Sequence, residues 1–129
     1  MSLRLAGFFR ELQQGLPDGP SLAGCRRAAA QADEAMIAGY LETGAVIRSA
    51  GARVDDVLDP ARTSVAPMYL VTDGIWVWPL ELAYYVRHYH VELPADFVAH
   101  MRAQSWTTPA VTEAELIRLS PVLRGLLRR

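Results

Sequence analysis

The chain contains no lysine and no asparagine, and it has one cysteine and three histidines. All thirteen basic residues are therefore arginines, set against fourteen Asp plus Glu, for a net charge of −1. One cysteine excludes an internal disulfide and makes a reducing interior the simpler setting. A near-neutral balance gives no support to nucleic-acid binding, which needs a basic face. No apolar run reaches the roughly 20 residues of a membrane span, so no membrane association is expected. The opening "MSLRLAGFFRELQQG" is interrupted by Arg10 and Glu11 and does not read as a signal peptide, so a cytoplasmic location is expected. The chain has no Gly-rich phosphate loop and no alternation of strands with helices, so no nucleotide or other cofactor is expected. The missing Lys and Asn, with abundant Ala, fit GC-rich coding of an actinobacterial sort better than a demand for guanidinium chemistry.

The 129 residues suffice for a single domain, 1–129, with one real core and no need of metal or disulfide. Leu5, Phe8, Phe9 and Leu12 recur at helical steps and predict a first helix over 3–14. "GLPDGP" breaks it. Ser21 is placed to cap a second helix running to Thr43, with Leu22, Cys25, Ala29, Ala32, Met36 and Tyr40 on one stripe and Gly44 past its end. Cys25 reads as a small helical hydrophobe rather than a nucleophile. "AVIRSA", 45–50, predicts a strand, and residues 51–66 a connection. Within it Asp55, Asp56 and Asp59 lack the spacing of a calcium loop and read as a solvated turn.

The most informative stretch is "PMYLVTDGIWVWP". Two apolar runs flank Asp73-Gly74, the pair favoured in a two-residue type I′ hairpin turn. That turn would set Thr72 opposite Ile75, Val71 opposite Trp76, and Tyr69 opposite Trp78. Alternation then puts Tyr69, Val71, Trp76 and Trp78 on one face, and Met68, Leu70, Thr72 and Val77 on the other. Neither face is polar. Pro79 suits the first turn of a helix, with Leu82, Tyr85, Val86 and Tyr89 inward and Glu81, Tyr84, Arg87 and His88 outward. A further helix starts at Pro94, with Phe97, Val98 and Met101 as its apolar side. "TEAE", 112–115, has capping-box spacing for a last one, which Ser120-Pro121 restarts or kinks. The fold class is α+β: a small antiparallel sheet of about three strands, including the 67–78 hairpin, packed with about four to five helices.

The candidate chemistry is thin. His88 and His90 would point apart on a helix and His100 lies on another element, so no metal site is expected. An enzyme would have to use Glu81, Tyr84 and His88, spaced by three and four along one helix face, with His88 as base and Glu81 orienting it. No nucleophile turn accompanies them. The other reading is a docking surface formed by Trp76, Trp78, Tyr69, Tyr84 and Arg87, because Trp, Tyr and Arg dominate the energetics of protein contacts. It expects one tryptophan buried, the other near a rim, and Tyr84 as the exposed ring. The arginines at 118, 124, 128 and 129 read as a solvated helix end.

Across residues 44–100, Thr-Asp-Gly-x-Trp-x-Trp-Pro followed by Leu-Ala-Tyr-Tyr-Val and a later Tyr resembles a group of small uncharacterised actinobacterial proteins. The resemblance implies a shared fold and brings no activity with it. Some small bacterial proteins of this sort are antidotes to toxins, and size and charge are compatible with that role. The expectation is a non-enzymatic accessory or immunity-like protein that binds another protein, a toxin or a second copy of itself.

Overall fold

The computed structural model describes residues 2–128. Among them the chain forms four strands, β1 (Arg4–Leu5), β2 (Ala45–Val54), β3 (Ala66–Thr72) and β4 (Trp76–Pro79). Four α-helices accompany them: α1 (Glu34–Glu42), α2 (Leu82–Tyr89), α3 (Ala95–Ala103) and α4 (Glu113–Leu127). The class is α+β, but the sheet is mixed rather than purely antiparallel. Its order is β1-β4-β3-β2, and β1 runs parallel to β4.

The hairpin forms with each cross-strand partner two residues further along than expected. Thr72 pairs with Val77, Val71 with Trp78 and Leu70 with Pro79. The two central residues are Gly74 and Ile75, closed by Asp73 N–H donating to the Trp76 carbonyl at 3.3 Å. Only Gly74 has a positive φ, +97°, so the type I′ turn at Asp73-Gly74 is not made. The cause is the Asp73 side chain, whose Oδ1 accepts the N–H groups of Ile75 (2.9 Å) and Trp76 (2.7 Å) and moves the bend one residue on. Face assignment survives, because moving each partner by two positions leaves the alternation intact. Val71, Trp76 and Trp78 share one cluster, and Leu70 and Val77 the other.

Both sheet faces are covered. On the first, Ile37, Tyr40 and Leu41 of α1, Leu82, Tyr85 and Val86 of α2, and Phe97 and Met101 of α3 pack on the tryptophans. On the second, Leu119 and Leu123 of α4 pack with Leu3 and Phe8. Thr112 caps α4 as its spacing predicts, accepting from Glu115 N–H at 3.2 Å. Pro121 lies within a continuous helix, which neither restarts nor stops there.

The predicted helix over 3–14 is absent. Arg4 and Ala6 donate N–H bonds to the carbonyls of Ile75 and Val77, so this segment extends the sheet along β4 instead. Phe8 then joins the α4 side and Phe9 the opposite cluster, so the chain wraps the sheet edge and covers it. The second predicted helix is reduced to α1 and a single 3-10 turn at Ala23–Cys25. Between them, Arg27 N–H bonds to the Tyr89 carbonyl and the Cys25 carbonyl accepts Glu92 N–H, which ties the segment to the end of α2. Met36, expected on the buried stripe, is 52% exposed, while Ile37 and Leu41 are buried. Tertiary hydrogen bonds here override the alanine-rich helix propensity.

Candidate functional site

The connection from β2 to β3 folds over α2 and is organised by one carboxylate. Asp56, read from the sequence as part of a solvated turn, is buried. Its Oδ1 accepts the N–H groups of Leu58 (2.7 Å) and Asp59 (3.1 Å). Its Oδ2 accepts the phenols of Tyr84 (2.7 Å) and Tyr89 (2.6 Å). Burial pushes this carboxyl up, but the four donors together outweigh it and hold it below the usual range. The same pairing pushes Tyr89 up to about 12, and burial together with Asp56 raises Tyr84. Tyr85 completes the arrangement by accepting Val57 N–H at 2.9 Å.

This loop places Arg62 beside α2. Its guanidinium lies 3.5 Å from Tyr84 Oη and 3.3 Å from His88 Nδ1. A guanidinium only donates, so in this contact Nδ1 takes the acceptor side. The His88 ring lies 4.3 Å from that of Tyr84. Next to them opens a groove of about 340 Å³. Its floor is Val65, Ala66, Pro67, Leu80 and Ala83, and its rim carries Tyr84, His88, Arg87 and Glu42. Arg87 is held by Glu42 at 2.6 Å.

The two expected constellations are dispersed. Glu81 does not face outward with Tyr84 and His88; it is buried and accepts from Gln14 Nε2 at 2.6 Å. It cannot orient His88, whose neighbour is a cation instead. Burial raises the Glu81 carboxyl to about 6, partly offset by the Gln14 bond. Trp76 and Trp78 do line up on one face as expected, yet both are buried. Trp76 stacks on Phe97 at 4.5 Å, and Trp78 donates its indole N–H to the Leu41 carbonyl at 2.9 Å. Neither tryptophan reaches a rim, so they form core and not surface. Tyr69 is half-buried and packs against the same cluster. Of the docking candidates, Tyr84 and Arg87 remain at the groove, where Tyr84 is half-buried rather than open.

The other histidines sit on separate carboxylates. His90 Nδ1 is 2.7 Å from Glu34 Oε1, and His100 Nε2 is 2.8 Å from Asp73 Oδ2. Asp73 Oδ2 also accepts the buried Tyr40 phenol at 2.6 Å, which joins α1, the hairpin and α3. Among the described residues no three His, Cys, Asp or Glu groups are placed to hold a metal ion. None of their helices is long and apolar enough to cross a membrane.

Sequence reasoning read Asp56 as part of a solvated turn and gave Arg62, Val65 and Ala66 no role, because they lie in the 51–66 connection it left without structure. The available signal was weak: Val54, Val57 and Leu58 are apolar residues interleaved with the acidic cluster. No protein-family model matches the chain, and no curated protein or solved structure is significantly similar to it.

Proposed function

We propose that this chain is a non-enzymatic protein-binding protein that receives a side chain of another protein in the groove beside α2. The observation that carries the reading is the make-up of that groove: an apolar floor from Val65 to Pro67, Leu80 and Ala83, rimmed by Tyr84, Arg87 and His88. A dry floor with a polar rim is the anatomy of protein interfaces, and Tyr and Arg are their preferred anchors. The rim is already positioned by Asp56, Arg62 and Glu42, so little ordering cost is added on binding. The enzyme alternative, a hydrolase or transferase working through Glu81, Tyr84 and His88, loses support with Glu81 turned into the core. The partner is a second copy of the chain or a different protein; a toxin neutralised by this chain is the narrower form.

The test uses Tyr84→Ala and Arg87→Glu beside Arg118→Glu as a surface control. Sedimentation velocity reports self-association, and quantitative affinity capture reports other partners. The expected result is one species, dimer or named partner, lost from the two groove variants and kept by the control. A monomer whose captured proteins are the same for all three variants overturns the proposal.

A further inference from the structure

A second cleft, also of about 340 Å³, shares no lining residue with the groove beside α2. Its walls are Leu5, Phe8, Phe9, Leu16, Leu93 and Pro94, with Cys25 at one side and Glu92 at the mouth. At roughly 30 Å³ per water, this is the room of about eleven waters, within the size range of small-molecule sites.

The cleft is preformed. The 3-10 turn that carries Cys25 is pinned by Glu11, which accepts the N–H groups of Leu22 (2.7 Å) and Ala23 (3.0 Å) and the Ser21 hydroxyl (3.2 Å). The opposite wall is held by backbone contacts too close for side chains. A Cβ on Gly19 would lie 2.0 Å from the Phe8 carbonyl oxygen, and one on Gly7 would lie 2.7 Å from Leu82 Cδ2. Gly7 also takes φ +76°, which fixes the bend that sends Phe8 and Phe9 to different sides. These contacts hold in place the backbone that carries Phe8 and Phe9.

The walls are mostly apolar side chains, and several of the lining's backbone groups are already used within the chain. The Phe8 carbonyl accepts Leu16 N–H, the Leu16 carbonyl accepts Gly19 N–H, and the Pro20 carbonyl accepts Arg10 N–H. Ala6 N–H is spent on Val77, and the Cys25 carbonyl on Glu92 N–H. The carboxylate of Glu92 is paired with Arg27 at 3.1 Å. A charged guest would give up hydration against walls made mostly of Leu, Phe and Pro side chains, at a cost an apolar guest does not meet. We propose that this cleft is a binding site for a small, uncharged, apolar molecule.

Two probes of one ring skeleton test it: neutral N-phenyl-1-naphthylamine and its sulfonated relative 8-anilino-1-naphthalenesulfonate. Fluorescence titration is expected to give one saturable site, at least about tenfold tighter for the neutral probe. Cys25→Trp or Leu16→Trp, which fill the cleft, should weaken that site by at least about tenfold, while the exposed Arg118→Glu leaves it unchanged. In the unaltered protein, saturating neutral probe should slow alkylation of the Cys25 thiol by iodoacetamide severalfold, a readout that does not depend on the filling variants folding. Absence of saturable binding, preference for the sulfonate, or alkylation at full speed under saturating probe overturns the proposal.

Discussion

Tyr89 donates its phenol to Asp56 Oδ2 at 2.6 Å, and Tyr84, more than a turn earlier on α2, donates to the same oxygen at 2.7 Å. One carboxylate thus latches the β2–β3 connection onto the helix. Asp56→Ala leaves two phenols and two backbone N–H groups without their acceptor, an expected loss of about 3 kcal/mol. Asp56→Asn keeps the shape and loses less. Urea unfolding checks both, with an unchanged m-value expected if only the latch is lost. Because the folded-state pKa of Asp56 is depressed, its contribution is present above 3.8 and disappears as pH falls through the lower folded value.

Glu81 acts with the opposite sign. Burial raises it from 4.5 to about 6, so the folded state holds its proton more tightly than the unfolded chain does. Its favourable contribution is complete below 4.5 and is lost as pH rises through about 6. That difference corresponds to about 2 kcal/mol between the two ends of the window. Glu81→Gln removes the titration while keeping an acceptor for Gln14. The melting temperature of the variant should therefore be flat over this window where the parent's falls, and at neutral pH the variant should be the more stable of the two. Parallel pH profiles would contradict the assignment.

How far the sequence could be read follows from what each signal measures. Alternation in 67–78 reports which face a side chain takes, and it placed Trp76 and Trp78 together despite a displaced turn, since both registers keep the same parity. It does not report whether another layer covers that face, so burial of the tryptophans was not legible. Helical spacing at Leu5, Phe8, Phe9 and Leu12 misled for a related reason. An extended segment that rounds a sheet edge also needs apolar residues, and there adjacent Phe8 and Phe9 serve opposite cores. Glu81 reads as a surface carboxylate because its partner, Gln14, comes from that same misread segment. Arg62, beside the groove, depends on Asp56, whose phenol donors lie 28 and 33 residues away along the chain.

Gly44 sits where the chain leaves α1 and passes over the indole of Trp78. A Cβ there would come within 2.8 Å of Trp78 Cζ2 and 3.0 Å of Val71 Cβ. Both neighbours are buried and have no room to yield. Gly44→Ala is therefore expected to destabilise by about 1–3 kcal/mol through overpacking, despite the lower chain entropy of alanine. A shift in Trp fluorescence should accompany the lowered unfolding midpoint. A neutral or stabilising effect would mean that the β2 entry is free to move off the indole.

The hairpin offers a sharper comparison, because two causes of its bend can be separated. If glycine's freedom at φ +97° sets the turn, Gly74→Ala should be the more damaging change. The hydrogen bonds point the other way. Asp73 alone accepts Ile75 N–H, Trp76 N–H, the Tyr40 phenol and His100 Nε2. Its removal unpairs groups on three elements, two of them buried with it. The backbone strain from Gly74→Ala is about 1–2 kcal/mol, and open space around its would-be Cβ, with nothing nearer than 3.9 Å, adds little to it. Asp73→Ala should cost about 3–4 kcal/mol, and adding Tyr40→Phe to it should cost far less than Tyr40→Phe alone, since the acceptor is already gone. Unfolding free energies of the two single variants and the double one decide the matter. A larger loss at Gly74 than at Asp73, or full additivity of Asp73→Ala and Tyr40→Phe, would show that the carboxylate is a bystander to the bend.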